Sequence, residues 1–434
     1  MVLYNTFMKN KILKLLKTKN VFLTGGAGVG KSYLTKEIIL EYKKNLKHVA
    51  VLGSTGISAI NIGGQTIHSF FAFGICSNLE ELVLQDRKNK KRIKEINELL
   101  KSCDLIIVDE ISMVSCDMLD MIRYRVERAG SETTFLFVGD FFQLPPVVKN
   151  RYTNNLFGGI YAFESNSWSF FDPVVIELKE MKRTKDKEFF RILNKIRVGI
   201  VDNEVEHYLI NLSNNTKVLK EEPTFLHGIN KEVTLINEKN LKAHKAKEMI
   251  LKSDITLYEK KLSNKRVQNW INSLPVNEEL RIKEGVPVLF TSNKWGKFYN
   301  GERGVVKEIF EDSLIIEKNK RVVKVQRQEF NLVEYSKNSN EELEENILAT
   351  LKQYPVKLAY AITIHKSQGM SIENLVCNID HIFTPSQFYV AIGRAVNPKK
   401  LYIEYTRGNI KNYLKNIIKV NDSVKKYYNI LFDI

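Results

Sequence analysis

The sequence predicts an α/β protein whose core is a parallel, doubly wound sheet, and two observations carry this prediction. Short apolar runs typical of buried strands alternate with helical patterns from residue 21 to about residue 180. These runs are Val21–Thr24, Val49–Gly53, Leu105–Val108, Phe135–Val138 and Val174–Leu178. A second α/β block begins near Glu180, with a strand predicted at Thr224–His227, and the α/β pattern resumes at Lys357.

Other stretches interrupt or flank these two blocks. A first helix is predicted over Phe7–Leu16, and a charged helical insertion over 80–102, whose KNKKR run is assigned to a solvated helix face. Between residues 285 and 333 the pattern changes to short strands and turns, which predicts a small antiparallel barrel inserted in the second block. Residues 337–345 are predicted to form a polar loop.

Bulk composition excludes several classes of protein. The chain has 434 residues, 44% hydrophobic and 27% charged, as is typical of a globular protein with two or more domains. No apolar run approaches the roughly 18 residues of a membrane span, and the N-terminus lacks the pattern of a signal peptide. The four cysteines show no CxxC spacing, so neither a zinc site nor a disulfide framework is indicated. We therefore expect a cytoplasmic protein without membrane association.

The charge balance points to a class of partner. Lysine and arginine number 66 against 50 aspartate and glutamate residues, a formal net charge of +16. Such an excess is expected of a protein that binds a polyanion such as nucleic acid. A lysine-rich proteome produces the same excess without any partner, so charge alone leaves both explanations open.

The motif GGAGVGKS at 25–32 carries the most specific chemistry in the chain. It fits the GxxxxGK[ST] pattern through Gly25, Gly30, Lys31 and Ser32, and it lies between a predicted strand and a predicted helix. The glycines let backbone N–H groups wrap around phosphates at a helix N-terminus, where the helix dipole favours an anion. Lys31 would reach the β- and γ-phosphates, and the Ser32 hydroxyl would bind Mg²⁺.

Two further strands end in polar residues at the same predicted sheet edge. LIIVDEISM at 105–113 ends in Asp109 and Glu110, and ligands of open α/β sheets bind at this edge. Asp109 would hold Mg²⁺ through water, and Glu110 would position or deprotonate the attacking water. FLFVGDFFQLPPV at 135–147 brings Asp140 and Gln143 to that edge, where the glutamine would contact the γ-phosphate or the attacking water. Its two phenylalanines are assigned to the core in preference to base stacking.

Two arginines and two loops complete the candidate site. Arg183 and Arg394 are surface residues by default, but between two α/β blocks they would close on the γ-phosphate as arginine fingers. TIHKSQG at 363–369 places His365, Lys366 and Ser367 on one loop as phosphate contacts. STGISAINIGGQTIHSFF at 54–71 combines hydroxyls, a histidine and aromatic rings, as a groove for single strands does.

Seven motifs in this order resemble those of superfamily-1 DNA helicases, most closely the Pif (petite integration frequency) type related to RecD and Dda. They are GGAGVGKS, STGISAI…TIHSFF, DEISM, GDFFQLPPV, KRT, AITIHKSQGMSI and YVAIGRA. The resemblance covers nearly the whole chain. The stretch EISMVSCDMLDMIR at 110–123 is also similar to a signature segment of that group.

The resemblance implies a monomeric motor of two RecA-like domains that uses ATP and Mg²⁺. The first domain would span 1–180, with a small wedge insertion at about 72–101. The second would span 181–287 and 354–434, with an SH3-like β-barrel inserted at 288–353. Such a motor would move 5′ to 3′ on single-stranded DNA and unwind duplex DNA in replication, repair or recombination. R-loops and G-quadruplexes are further substrates that the resemblance allows.

Residue by residue, the resemblance supports the candidate site and extends it. The implied ATP site contains Lys31, Ser32, Asp109, Glu110, Gln143, Arg183 and Arg394, and it adds Gly28 and Gly369. The implied DNA contacts are Thr55, His68, Ser69, Phe70, Thr363, His365 and Lys366. These assignments are expectations carried by the motifs.

Two departures from the family pattern qualify these expectations. Met8 stands where such helicases usually have an adenine-reading glutamine, so selectivity for the adenine base is open. The long extensions of eukaryotic members are absent, which indicates a minimal motor acting at a bacterial nucleoid or a viral replication site.

Three alternatives remain open from the sequence. The first is a helicase acting on RNA, and the second is a DNA-stimulated ATPase that remodels proteins without separating strands. The third is a nucleotide-controlled binding module, which Glu110 and the two candidate arginine fingers disfavour.

Overall fold

The chain folds into two compact units. The computed structural model describes residues 2–54, 58–59, 63–146, 159–259, 262–294, 296–337 and 343–432. The first unit comprises Met1–Glu180, Leu332–Leu348 and Ser423–Ile434, and the second comprises Met181–Asn331 and Ala349–Asp422. Among the described helices none is long and apolar enough to cross a bilayer.

The first unit is built on a parallel sheet of six strands in the order β3-β2-β4-β5-β1-β6. The strands are β1 Val21–Thr24, β2 Val49–Gly53, β3 Gln65–Thr66, β4 Leu105–Asp109, β5 Thr134–Val138 and β6 Val174–Glu177. Each predicted strand of this block is confirmed to within one residue. Because β4, β5 and β1 are adjacent and parallel, the residues that follow these three strands emerge at one sheet edge.

Helices cover both faces of this sheet. Several of them are capped at the N-terminus by the side chain of the residue that precedes the helix. Asn78, Ser115 and Ser165 each accept a hydrogen bond from a backbone N–H in the first turn, the usual way to satisfy a helix N-terminus. The helices of the first unit are Val2–Leu15, Lys31–Lys44, Ile67–Phe70, Leu79–Lys88, Lys90–Ser102, Cys116–Ala129, Asn166–Phe171 and, from Ser423, Asp422–Phe432.

The predicted helical insertion is confirmed as the pair Leu79–Lys88 and Lys90–Ser102. Its second helix buries Ile93, Ile96, Leu99 and Leu100 at the three-to-four-residue spacing of an amphipathic helix. Its charged residues lie on the opposite face. The preference for a solvated charged face is therefore consistent with the packing of this helix.

The second unit has its own parallel sheet, of four strands in the order β18-β7-β19-β20. These are β7 Thr224–His227, β18 Ala361–Thr363, β19 Leu375–Asn378 and β20 Leu401–Glu404, and β7 is confirmed with the predicted bounds. Its helices are Lys187–Arg197, Asn203–Ser213, Asn230–Ala243, Asn264–Ser273, Gln387–Ile392 and Ile410–Ile417.

The short-strand region forms an antiparallel sheet of five strands in the order β14-β13-β12-β11-β17. These are β11 Pro287–Phe290, β12 Arg303–Ile309, β13 Ser313–Lys318, β14 Arg321–Gln326 and β17 Val356–Leu358. Alternate residues such as Leu314 and Ile316 point into a buried apolar cluster with Val288 and Val306. This alternation is the cause of the sheet's one-sided core.

Two smaller sheets complete the second block. β8 Met249–Lys252 pairs with β10 Glu279–Ile282, and a three-stranded sheet has the order β15-β16-β9. Its strands are β9 Asp254–Leu257, β15 Gln328–Lys337 and β16 Leu343–Gln353. The predicted polar loop 337–345 is thus shorter than expected, because Leu343 already begins a strand.

The two units divide the chain differently from the expected domains in two places. The outer ends of β15 and β16, 332–348, belong to the first unit, where the ring of Tyr335 packs against Phe70. The last helix also belongs there from Ser423 onward. Both segments pack through aromatic rings on residues that are distant in the chain, Tyr335 on Phe70 and Tyr428 on Phe142. No local sequence pattern predicts such contacts.

Candidate active site

The phosphate-binding motif has the backbone that its glycines permit. Gly25 follows β1 with φ of 139°, and a Cβ there would lie 2.4 Å from the carbonyl oxygen of Leu178. Gly28 and Gly30 also have positive φ, at 80° and 97°, and Gly30 caps the helix Lys31–Lys44. Since side chains are excluded and L-residues strained in this loop, it forms a cradle open to phosphate oxygens.

Lys31 lies at the start of this helix, beside the cradle. Its ammonium donates to the carbonyl oxygens of Gly25 at 2.6 Å and of Gly26 at 3.1 Å. Ser32 follows in the exposed first turn. A cation, a hydroxyl and the positive end of a helix dipole therefore meet at one point, as a polyphosphate requires.

Asp109 is the last residue of β4, the strand adjacent to β5, and Glu110 follows it at the same sheet edge. Asp109 is 8% exposed, and burial, together with the charge of Glu110, raises the pKa of its carboxyl group to about 7. The nearby charge of Lys31 acts in the opposite direction on this pKa. Glu110 adopts a left-handed backbone with φ of 54°, an uncommon conformation for a residue with a side chain.

The donor set at this edge suits a hard divalent cation. No group of three or more His, Cys, Asp or Glu side chains arranged for a metal occurs in the described parts of the chain. The Ser32 hydroxyl and the Asp109 carboxylate offer oxygen ligands only. Mg²⁺ prefers oxygen and is commonly held by one or two protein oxygens plus substrate phosphates, so these residues fit it.

The loop 139–146 forms a buried turn at the same edge. The Phe142 N–H donates to Asp140 Oδ1 at 3.2 Å, and the Gln143 N–H donates to the Asp140 carbonyl at 2.8 Å. The Gln143 amide lies 3.5 Å from Asp140 Oδ2. Phe141 and Phe142 are 0% and 3% exposed, so their assignment to the core is confirmed.

In the second unit, two arginines lie close together. Arg183 donates from Nε to Ser371 Oγ at 2.9 Å and from a terminal nitrogen to the Gly393 carbonyl at 2.6 Å. Arg394 is 2% exposed and donates to the Val390 carbonyl. Burial and the charge of Arg394 lower the pKa of Arg183 to about 9, so each guanidinium raises the cost of the other's charge. An anion near both would relieve this repulsion.

The predicted DNA contacts of the first unit have different surroundings. His68 and Ser69 are partly exposed on the short helix Ile67–Phe70, and burial lowers the pKa of His68. Phe70 is only 2% exposed and packs on Phe71 and Tyr335, so its ring cannot stack on a base in this conformation. Thr55 lies outside the described residues.

The predicted contacts of the second unit lie at the end of β18 and in the loop after it. Thr363 is buried and its Oγ1 accepts from the Lys366 N–H at 3.3 Å, which shapes the loop. Lys366 and Gly369 are exposed, whereas His365 is half-buried, and burial lowers its pKa. Ser367 is buried, with its hydroxyl bound to the Ile364 carbonyl, and so its side chain has a structural role.

An exposed aromatic residue that no sequence motif indicated lies beside this loop. The ring of Phe383 is 62% exposed and lies nearly parallel to that of His365, with 6.4 Å between centroids. An exposed ring next to a basic loop is the type of surface on which bases stack. The signal was visible in HIFTPSQ, where a phenylalanine stands among polar residues, but only the fold brings it to His365.

Met8 lies in the hydrophobic cluster of the first unit. It is 7% exposed and packs in a buried group with Ile12, Leu16, Val29 and Leu34. Val29 belongs to the phosphate-binding loop, so this cluster packs directly against the loop. The structure thus gives Met8 a packing role.

Taken together, the phosphate-binding cradle, the carboxylates of a neighbouring strand and the second α/β unit define a P-loop nucleoside triphosphatase with two RecA-like domains. A family model described as "PIF1-like helicase" matches residues 4–207. The chain is 42% identical to the ATP-dependent DNA helicase Pif1 of Campylobacter jejuni, over 97% of each chain. It is 31% identical to the protein of the same name from Bdellovibrio bacteriovorus, covering 90% of this chain and 85% of that one.

Solved structures agree with this assignment. Pif1 of Bacteroides sp in complex with ADP-AlF4 matches with a TM-score of 0.83 at 27% identity, covering 97% of this chain and 96% of that one. A Bacteroides Pif1 bound to single-stranded DNA matches with a TM-score of 0.63 at 26% identity, covering 97% and 96% of the two chains. The chain belongs to the PIF1-like helicase family.

Proposed function

We propose that the protein is an ATP-dependent DNA helicase that moves 5′ to 3′ along single-stranded DNA and separates duplex strands. The observation that carries this proposal is the meeting of Lys31 with Asp109 and Glu110 at one sheet edge of the first unit. Relatives named as ATP-dependent DNA helicases match over nearly the full chain, which supports the same activity here.

In this proposal, the first unit binds and activates ATP. The glycine cradle holds the phosphates through backbone N–H groups, and Lys31 turns from its carbonyl partners toward the γ-phosphate. Ser32 would hold Mg²⁺ directly and Asp109 would hold it through water, and the ion would supply positive charge to the phosphate oxygens when bound. Glu110 orients the attacking water and takes its proton, and Gln143 contacts the same water or the γ-phosphate.

The arginines of the second unit complete the reaction in this proposal. Arg183 and Arg394 stabilise the charge that develops on the transferring phosphoryl group. Their mutual repulsion in a buried setting supports this role, because an anion offsets the cost of two adjacent guanidinium groups. Gly369, exposed with φ of 79°, is assigned to the nucleotide contact on this side.

The DNA contacts are assigned to both units. His68 and Ser69 of the first unit and Thr363, His365 and Lys366 of the second are retained as proposed contacts. Lys366 and the net charge of +16 support a negatively charged strand as the partner. We propose a monomeric motor in replication, repair or recombination. A solved relative is described as two coordinating Pif1 helicases at forked DNA.

An unwinding assay tests the proposal and its alternatives together. The protein and ATP-Mg²⁺ are incubated with each of three substrates. These are a duplex DNA with a single-stranded 5′ tail, the same duplex with a 3′ tail instead, and an RNA duplex matched to the first. Unwinding of the 5′-tailed DNA alone is the expected result. Unwinding of RNA would favour an RNA helicase, whereas ATPase stimulated by single strands without any unwinding would favour a remodelling ATPase.

A further inference from the structure

The last helix carries a buried tyrosine into the nucleotide-binding unit. Tyr428 is 3% exposed, and its ring stacks on that of Phe142 with 4.5 Å between centroids. Phe142 belongs to the loop 139–146, which also carries Gln143. The helix Asp422–Phe432 therefore packs directly on the loop assigned to the γ-phosphate.

The Tyr428 hydroxyl contacts polar atoms of β1 and of the loop 139–146. It lies 2.7 Å from Thr24 Oγ1, accepts from the Phe141 N–H at 3.3 Å, and donates to Asp140 Oδ1 at 3.4 Å. A hydroxyl has one proton and two acceptor lone pairs, so all three contacts are satisfied when Thr24 also donates to it. One oxygen atom thus joins the end of β1, directly before the phosphate cradle, to the loop 139–146.

Asp140 makes this hydroxyl important for Gln143. The carboxyl group of Asp140 is fully buried, and a buried carboxylate depends on the donors around it. Its Oδ1 faces Tyr428 and the Phe142 N–H, while Oδ2 lies 3.5 Å from the Gln143 amide. The orientation of the carboxyl group, and with it that of the amide, therefore depends on the tyrosine hydroxyl.

Packing alone does not account for this arrangement. Tyr427, the preceding residue, packs through its ring against Phe163 at 4.3 Å and Phe141 at 5.7 Å between centroids. A phenylalanine at either position would preserve these ring contacts. Only at Tyr428 would the change remove a hydroxyl that contacts both sides of the nucleotide edge.

We propose that Tyr428 is a positioning residue that sets the loop 139–146 relative to the phosphate cradle and so couples ATP hydrolysis to DNA. The inference rests on the proposed function, since it assumes an ATPase that DNA stimulates. Asp422 is the last residue of the second unit, and the helix that begins there leads to Tyr428 within two turns. A displacement of Asp422 is carried along this helix to Asp140 and Gln143.

Two conservative variants of the full chain, Tyr428→Phe and Tyr427→Phe, test the inference. Turnover and the KM for ATP are measured with and without a saturating single-stranded oligonucleotide, together with the melting temperature. In Tyr428→Phe, DNA-stimulated turnover should fall about tenfold, the effect of about one buried hydrogen bond, while the KM for ATP changes less than about twofold. Tyr427→Phe should match the unaltered protein in turnover and in the KM for ATP, both with and without the oligonucleotide.

A third variant approaches the same contact from the other side. Thr24→Val removes the partner hydroxyl at nearly constant volume, and it should lower DNA stimulation as Tyr428→Phe does. The double variant should lose little more than either single one, because both changes break one contact network. Unaltered stimulation in Tyr428→Phe, equal losses in Tyr428→Phe and Tyr427→Phe, or fully additive losses would overturn the inference. An unaltered protein without DNA-stimulated hydrolysis would instead refute the proposed function.

Discussion

Lys31 holds its ammonium against two carbonyl oxygens of its own loop, and this defines its expected contribution. The carbonyls compensate the charge until a phosphate replaces them. Lys31→Ala should lower ATP hydrolysis by on the order of 10²–10³-fold, the cost of losing one preorganised charge at the reacting centre. Binding of single-stranded DNA should persist, because none of the proposed DNA contacts belongs to the phosphate-binding loop.

The matched control for this prediction is Lys44→Ala. Lys44 is exposed in the last turn of the same helix, so the change removes the same charge away from the cradle. Phosphate release from ATP is measured for both variants. Turnover in Lys31→Ala equal to that in Lys44→Ala would contradict the assignment of the phosphate-binding loop.

Gln143 offers a second prediction at the level of a single residue. Its amide can donate to a γ-phosphate oxygen and accept from water, so its preferred position differs between bound ATP and ADP. The adjacent Pro145 and Pro146 restrict how the loop can absorb a shift. Gln143→Ala should therefore reduce the stimulation of hydrolysis by DNA about tenfold or more, a barrier change of about 1.4 kcal/mol.

The measurement for Gln143 is a ratio. ATPase is recorded with and without single-stranded DNA in the variant and the unaltered protein, beside separate titrations of nucleotide and of DNA. Unwinding should decrease more than unstimulated hydrolysis does. If the fold-stimulation is the same in both proteins, Gln143 does not couple the two sites.

At the level of elements, a buried ion pair joins the helical insertion to the helix Cys116–Ala129 within the first unit. Arg125, fully buried on the helix Cys116–Ala129, makes two bonds to Asp86 at 2.5 and 2.8 Å and a third to the Phe71 carbonyl at 3.0 Å. The pair therefore links the insertion, this helix and the end of the segment 54–71. Asp86 is 2% exposed, so water cannot replace either partner.

Asp86→Ala should destabilise this arrangement strongly, because it leaves the Arg125 guanidinium buried without its counter-ion. The free energy of unfolding should fall by about 3–5 kcal/mol. Glu98→Ala is the control, because Glu98 Oε1 pairs with the ammonium of Lys94 at 4.0 Å and both side chains are exposed. The free energy of unfolding should change by about 0–1 kcal/mol in this variant. Urea denaturation of both variants gives the comparison, and equal midpoints would show that the buried pair contributes nothing.

A second element-level feature concerns strands β15 and β16. Their outer ends pack on the first unit through Tyr335 and Phe70, and Glu334 pairs with Arg92 on the insertion. Local alternation predicted neither the length of these strands nor their neighbours. Such contacts join residues more than two hundred positions apart, and periodicity is informative only over a window of about 18 residues.

For the whole molecule, the net charge of +16 leads to a prediction about ionic strength. If the excess follows a phosphate backbone, the logarithm of the affinity for single-stranded DNA should fall linearly with the logarithm of salt concentration. The slope should be about −0.7 for each phosphate neutralised. Fluorescence anisotropy of a labelled oligonucleotide from low to physiological salt gives this slope. A flat dependence would assign the charge to proteome composition.

The amino-acid sequence by itself indicated the chemistry proposed for the site and located the core strands along the chain. Val21–Thr24 and Thr224–His227 were predicted with their observed bounds, because buried parallel strands are continuous apolar runs that a short window reveals. Lys31, Asp109 and Glu110 were assigned from motif spacing, because a strand followed directly by a ligand-binding turn is a local arrangement.

Only the tertiary structure decided which distant residues surround that chemistry. It buried Phe70 against Tyr335, placed Phe383 beside His365, and brought Tyr428 within hydrogen-bonding distance of Thr24 and Asp140. None of these pairs shares a local pattern, since their members are separated by between 18 and about 400 positions in the chain. Burial of a side chain is settled by whichever elements finally pack on it, and that depends on the free energy of the whole fold.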